Sequence, residues 1–130
     1  MQEQDKKTEG AGFYKWSEIV RDATPGKTLP PGMSRRCVTL GDVMLAMHEA
    51  FPDLETKDHV HDSAQITYVV RGKLAVSING DKRFMEPGEF AYIPAGVPHH
   101  VQTADEYALA MDIFNPPRKD IMERVAEISK

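Results

Sequence analysis

Apolar and polar residues alternate with period two along most of this chain. In the stretch KLAVSI, Leu74, Val76 and Ile78 fall on one face, and the Asn79-Gly80 pair that follows readily takes the positive φ angles of a tight hairpin turn. Strand-like runs recur at CVTL, VMLAMHEAF, QITYVV, KRFM, EFAYI and YALAMDIF, divided by the turn-forming groups GD, RGK, NGD, EPGE and PAGVP. Many short strands at such spacing predict an all-β sandwich or barrel. The period changes at the two ends. YKWSEIV reads as a short helix, and the Pro/Gly-rich ATPGKTLPPG that follows is a connector unable to hold a regular element. Pro116-Pro117 stops the last strand, after which Ile121, Val125 and Ile128 recur at near-helical spacing, predicting a short C-terminal helix packed on the barrel as a cap. The expected organisation is a disordered polar tail over 1–10, an N-terminal segment and connector over 11–32, a single β-barrel domain over 33–115, and a helical segment over 116–130.

The last strand has two unlike faces. Tyr107, Leu109, Met111 and Ile113 point one way; Ala108, Ala110, Asp112 and Phe114 point the other. The small face suits a cavity wall, because alanines leave room and a carboxylate there needs water, a ligand or a partner. Asp112 is therefore a candidate site residue. The bulky face needs cover, and a homodimer is the natural expectation.

Composition narrows the function classes. A chain of 130 residues fits one domain, and no apolar run approaches the length of a bilayer-spanning helix. The net charge of −4, with no basic stripe, gives no field that would collect nucleic acid, so a small molecule is the expected partner. The single cysteine, Cys37, excludes an internal disulfide and any multi-cysteine zinc site and fits a reducing cytoplasm.

The chemistry concentrates in the histidines. In HVHDSAQ, His59 and His61 share one face of an extended strand, with Gln65 on the same parity. A second stretch, GEFAYIPAGVPHH, ends a strand in a Pro/Gly corner and delivers histidine to its far side. Three imidazoles and an amide oxygen make an N3O donor set for one divalent first-row metal, with positions left for substrate or water; zinc, nickel, iron(II), manganese and cobalt all suit it. Neutral ligands leave the full charge on the ion, which favours an anionic partner such as an acidic sugar or a keto acid. His100, next to His99, should face the opposite side, and His48 reads as a core or interface histidine.

His59-x-His61-x3-Gln65-x6-Gly72 and Gly88-x5-Pro94-x-Gly96-x2-His99 resemble the two signature motifs of the cupin superfamily, with Gln65 in place of the usual glutamate and Thr103 in place of a structural asparagine. The resemblance implies a jelly-roll, or double-stranded β-helix, barrel with His59, His61, Gln65 and His99 as metal ligands. Within cupins, the run from His59 to His100 and the element Asp112-x-Phe114-x-Pro116-Pro117-Arg118 resemble the KdgF family of small bacterial cupins over roughly residues 33 to 120. That family opens the ring of 4,5-unsaturated uronates released by pectin and alginate lyases, giving linear 4-deoxy-5-keto sugar acids without an organic cofactor. Carried over, Asp112 moves the proton, Arg118 pairs with the uronate carboxylate, and Phe114 packs on the sugar ring. Two other readings stay open from sequence: a cupin dioxygenase acting on a diketone, flavonol or other enolisable substrate, and a non-catalytic sugar- or effector-binding cupin.

Overall fold

The structure is a computed structural model and describes residues 11–129, so the expected tail over 1–10 lies outside the described residues. Nine strands follow one another: β1 (Arg21–Asp22), β2 (Met33–Leu40), β3 (Val43–Ala50), β4 (Ala64–Arg71), β5 (Leu74–Ile78), β6 (Asp81–Met85), β7 (Phe90–Ile93), β8 (His99–Gln102) and β9 (Ala108–Asn115). They form a six-stranded antiparallel sheet in the order β1-β2-β3-β9-β4-β7 and a three-stranded sheet in the order β6-β5-β8. This is the mostly β jelly roll expected. Asn79 and Gly80 take φ of 49° and 86° at the β5–β6 turn, as the hairpin reading requires.

Two strands escape the hydrophobic pattern. β1 has only two residues, and β8 reads HHVQ, too polar to alternate visibly. The YKWSEIV segment forms only a single 3-10 turn, Trp16–Glu18, with no side-chain cap and no buried residue. So short a helix needs an apolar face buried to extend, and here Trp16 and Ile19 are only half-buried. The C-terminal helix α1 (Lys119–Ile128) does pack, sinking Ile121 and Val125 against Cys37, Met44, Ala46 and Phe114.

The Pro/Gly connector is part of the packed structure. Gly26 and Leu29 exchange backbone hydrogen bonds across a tight turn, and the Leu29 side chain is buried. Arg35, on the inner face of β2 and 1% exposed, donates from Nη1 to the Thr28 carbonyl at 2.7 Å and from Nη2 to the Thr28 hydroxyl. Asp22 joins the two ends of the chain, lying 3.6 Å from Arg35 and accepting a hydrogen bond from Arg124 of α1 at 3.0 Å.

Inside the barrel, character changes along the strands. β4 turns Gln65, Thr67 and Val69 inward, and β9 turns Ala108, Ala110, Asp112 and Phe114 inward, with Val69 beside Ala110 and Thr67 beside Asp112. Val69, Leu74, Val76, Met85, Ile93, Ala108 and Ala110 close one end as an apolar plug. The other end is polar.

Candidate metal centre

His59 and His61 converge, but not from the regular strand expected. His59 makes a single antiparallel bridge to His99, with backbone hydrogen bonds of 3.0 and 3.1 Å, and His61 precedes the bend at Asp62–Ser63 that leads into β4. Ser63 pins that bend through its hydroxyl to the Pro116 carbonyl. His99 opens β8, immediately after the Pro94–Gly96 corner. The three ring centroids lie 4.3 to 5.6 Å apart, and one nitrogen from each ring falls within 4.8 Å of the others.

Hydrogen bonds on the far side of each ring set its tautomer. His61 Nδ1 donates to the Ser63 carbonyl and His99 Nδ1 to the Val97 carbonyl, both at 2.8 Å, and His59 is hydrogen-bonded to the main chain of Lys57. With Nδ1 protonated, the Nε2 atoms of His61 and His99 carry lone pairs, and both face Oε1 of Gln65, at 2.9 and 3.2 Å. The amide cannot relieve this by turning over. Its nitrogen donates to the Thr67 hydroxyl at 2.9 Å and to Asp112 Oδ1 at 3.2 Å, while Thr67 in turn donates to Asp112 at 2.6 Å. In the neutral tautomers acceptors thus face acceptors, an arrangement that a cation satisfies. Burial, joined by the charges of His99, Arg118 and His61, pushes His59 down to about 4, and burial also lowers His99. Both rings are neutral near pH 7, the form that binds metal. The four residues therefore fit a divalent ion.

Asp112 lies behind this centre with both oxygens engaged. Oδ1 takes the Thr67 and Gln65 bonds, and Oδ2 lies 2.9 Å from Nδ1 of His48, whose N–H is not in line with it. Burial by itself would raise this carboxyl, but the His48 ring and then the Thr67 and Gln65 hydrogen bonds outweigh it and hold Asp112 below the ordinary carboxylate range. Phe114 is buried, its ring edge-on to His61 at 5.6 Å, and the Arg118 guanidinium stands 5.5 Å over its face. Arg118 is already paired: Nε and Nη2 bind the two oxygens of Asp120 at 3.2 and 2.6 Å. His100 turns away, as expected, and pairs with Asp58. Cys37 is buried and its thiol pushed up to about 11, so it offers no thiolate.

A cavity of about 620 Å³ opens over these groups. The connector, residues 26–31, supplies one wall, and the buried His48 and Arg35 also line it. Sequence reasoning missed Thr67, His48 and the connector. Strand parity held a signal for the first two, since His48 follows Met44 and Ala46 at every second position on the inward face of β3, as Thr67 follows Gln65 on β4. For the connector there was none.

A jelly roll that gathers two motif stretches around a three-histidine, one-amide centre defines the class, and the cupin-domain family model matches residues 46–114. The chain belongs to the cupin family. Within it, the chain is 32% identical over 108 residues to the pectin degradation protein KdgF of Dickeya dadantii, covering 80% of this chain and 96% of that protein, and KdgF is the branch in which it falls. The structure of KdgF from Halomonas sp. superposes with a TM-score of 0.75 at 26% identity, covering 85% of this chain and 98% of that one. The polyketide cyclase RemF from Streptomyces resistomycificus shares the fold, with a TM-score of 0.68 at 20% identity over 83% of this chain and 81% of its own.

Proposed function

We propose that this protein is a metal-dependent isomerase that opens the ring of a 4,5-unsaturated uronate to a linear 4-deoxy-5-keto sugar acid, as part of pectin or alginate breakdown. The observation that carries the reading is the convergence of His59, His61, His99 and the immobilised Gln65 oxygen, with His59, Gln65, His99 and Asp112 lining one cavity. The likeness to a pectin degradation protein supplies the substrate class. A divalent ion held by these four residues would supply Lewis acidity toward the substrate's carboxylate and neighbouring oxygen. The protein's own groups do the rest. Phe114 and the connector wall shape the space for the ring, Arg118 approaches the carboxylate with the part of its fork that Asp120 leaves over, and Asp112 belongs to the machinery that handles the proton.

The test is to incubate metal-analysed protein with the unsaturated monouronate and follow the loss of its ultraviolet absorbance. Ring opening faster than the spontaneous rate is expected; no acceleration at full metal loading would overturn the reading. Asp112→Asn should lose roughly 10²- to 10⁴-fold in turnover while keeping its metal.

The same reading includes a homodimer. Outward residues of the large sheet line up by register in two apolar rows, Val38-Leu45-Ile113-Ile66-Tyr92 and Met47-Met111-Tyr68-Phe90. Phe90 and Tyr92 are 66% and 61% exposed, more than an isolated soluble domain usually leaves uncovered side by side. A molar mass of two chains in sedimentation, falling to one in Tyr68→Ser/Phe90→Ser, is the expected result.

A further inference from the structure

His48 occupies a place in the cavity that neither the signature motifs nor the metal ligands account for. It projects inward from β3, pairs across the sheet with Arg35 on one side and Ala110 on the other, and is 8% exposed. Its Nδ1 lies 2.9 Å from Asp112 Oδ2. Its Nε2 makes no hydrogen bond among the described residues and is not sealed off, and the residue lines the cavity together with His59, Gln65 and His99. Asp112, by contrast, has each oxygen already within reach of a donor: Thr67 and Gln65 at one, His48 at the other.

A carboxylate behind Nδ1 fixes which nitrogen carries the proton. It holds the hydrogen on Nδ1, leaves a lone pair on Nε2, and stabilises the ring when Nε2 takes up a proton. The N–H is out of line with Oδ2 here, as such bonds commonly are before substrate is bound.

We infer that His48 Nε2 is the group that moves the proton, and that Asp112 acts through it as a positioning residue. The inference rests on the ring-opening reading above. The step balances as an isomerisation. Nε2 removes the proton of the C1 hydroxyl; that O–H pair becomes the second bond of the C1 carbonyl, and the C1–O5 bond breaks with its pair going to O5. The resulting C4=C5 enolate then collects the proton from Nε2 at C4, while the O5 pair forms the C5 carbonyl. One proton has passed from O1 to C4, and no electrons are gained or lost.

His48→Asn separates the two roles, because the asparagine amide can stand where Nδ1 stands and still donate to Asp112, but nothing replaces Nε2. Metal-loaded parent, His48→Asn and Asp112→Asn proteins are compared with the unsaturated monouronate in D2O, following turnover, KM, metal content and the stereochemistry of deuterium at C4. The parent should place deuterium in one C4 position. His48→Asn should keep full metal content and the parent's KM, lose about 10²- to 10⁴-fold in kcat, and release product labelled in both C4 positions, since the enol is then protonated in bulk water. Parental kcat and single-position labelling in His48→Asn, alongside an inactive Asp112→Asn, would overturn the inference while leaving ring opening intact. A metal-loaded parent that gives no acceleration would remove both, and that result is read from the parent alone.

Discussion

The two ends of the barrel interior are built from the same strands by opposite means. At the plug end, Val69, Leu74, Val76, Ile93 and Ala108 bury apolar surface and ask nothing of one another except shape. At the open end, Gln65, Thr67 and Asp112 are held by directed hydrogen bonds, His48 stands against Asp112, and three imidazole rings lie close together. Burying polar groups this way costs stability unless each is satisfied, and the converging atoms of His61, His99 and Gln65 are an arrangement that a bound cation satisfies. The difference teaches where the stability is stored and where the chemistry is. The plug can carry the fold, so the open end can be arranged for binding.

That division can be broken in four ways. The largest effect falls on the open end: His99→Ala should lower metal affinity by more than about 100-fold, since even partners outside the ligand shell are typically worth about 10- to 100-fold. Elemental analysis after dialysis reads it, and the variant should still fold, because the plug is untouched. At the other end, Leu74→Ala should cost about 2–5 kcal/mol in denaturant unfolding while metal stoichiometry stays at the parent value. Metal loss in Leu74→Ala would mean that the two ends are coupled and the comparison fails.

Gly72, between β4 and β5, sharpens it next. Its φ is +77°, and a Cβ there would sit 2.0 Å from the Tyr107 carbonyl oxygen, so Gly72→Ala should lower stability by roughly 1–3 kcal/mol through strain at the turn. Thermal unfolding would register it, again with metal content unchanged. The smallest effect depends on pH. Burial raises the Asp22 carboxyl, but the Arg124 hydrogen bond, the Thr24 amide and the charges of Arg124 and Arg35 outweigh it, so Asp22 is held below its ordinary 3.8. A depressed carboxyl stabilises the fold above 3.8 and ceases to as the pH falls through the lower native value. The stability gap between the parent and Asp22→Asn should therefore be open at neutral pH and close in acid, as measured by urea unfolding at a series of pH values.

Much of the barrel was legible because strand formation here is local. Alternation in KLAVSI, the Asn79-Gly80 turn and the two unlike faces of β9 each depend on a handful of adjacent residues, and β9 does bury Ala108, Ala110, Asp112 and Phe114 in turn. The ligand spacings were legible for the same reason, since each motif lies on one short stretch. The failures were those of context. YKWSEIV carries helical residues, but with none of them fully buried it forms one turn. The polar β8 pairs because β5 lies beside it, which no pattern within HHVQ could announce.

What the sequence determined by itself was most of the strands, the turns between them and the candidate metal-binding side chains, because these follow from residue type and nearest-neighbour spacing. Tertiary structure alone decided that the connector walls the cavity and that His48 stands against Asp112. The contact of His48 with Asp112 joins positions 64 residues apart. Strand order and register set it, and neither is written in any single stretch of the chain.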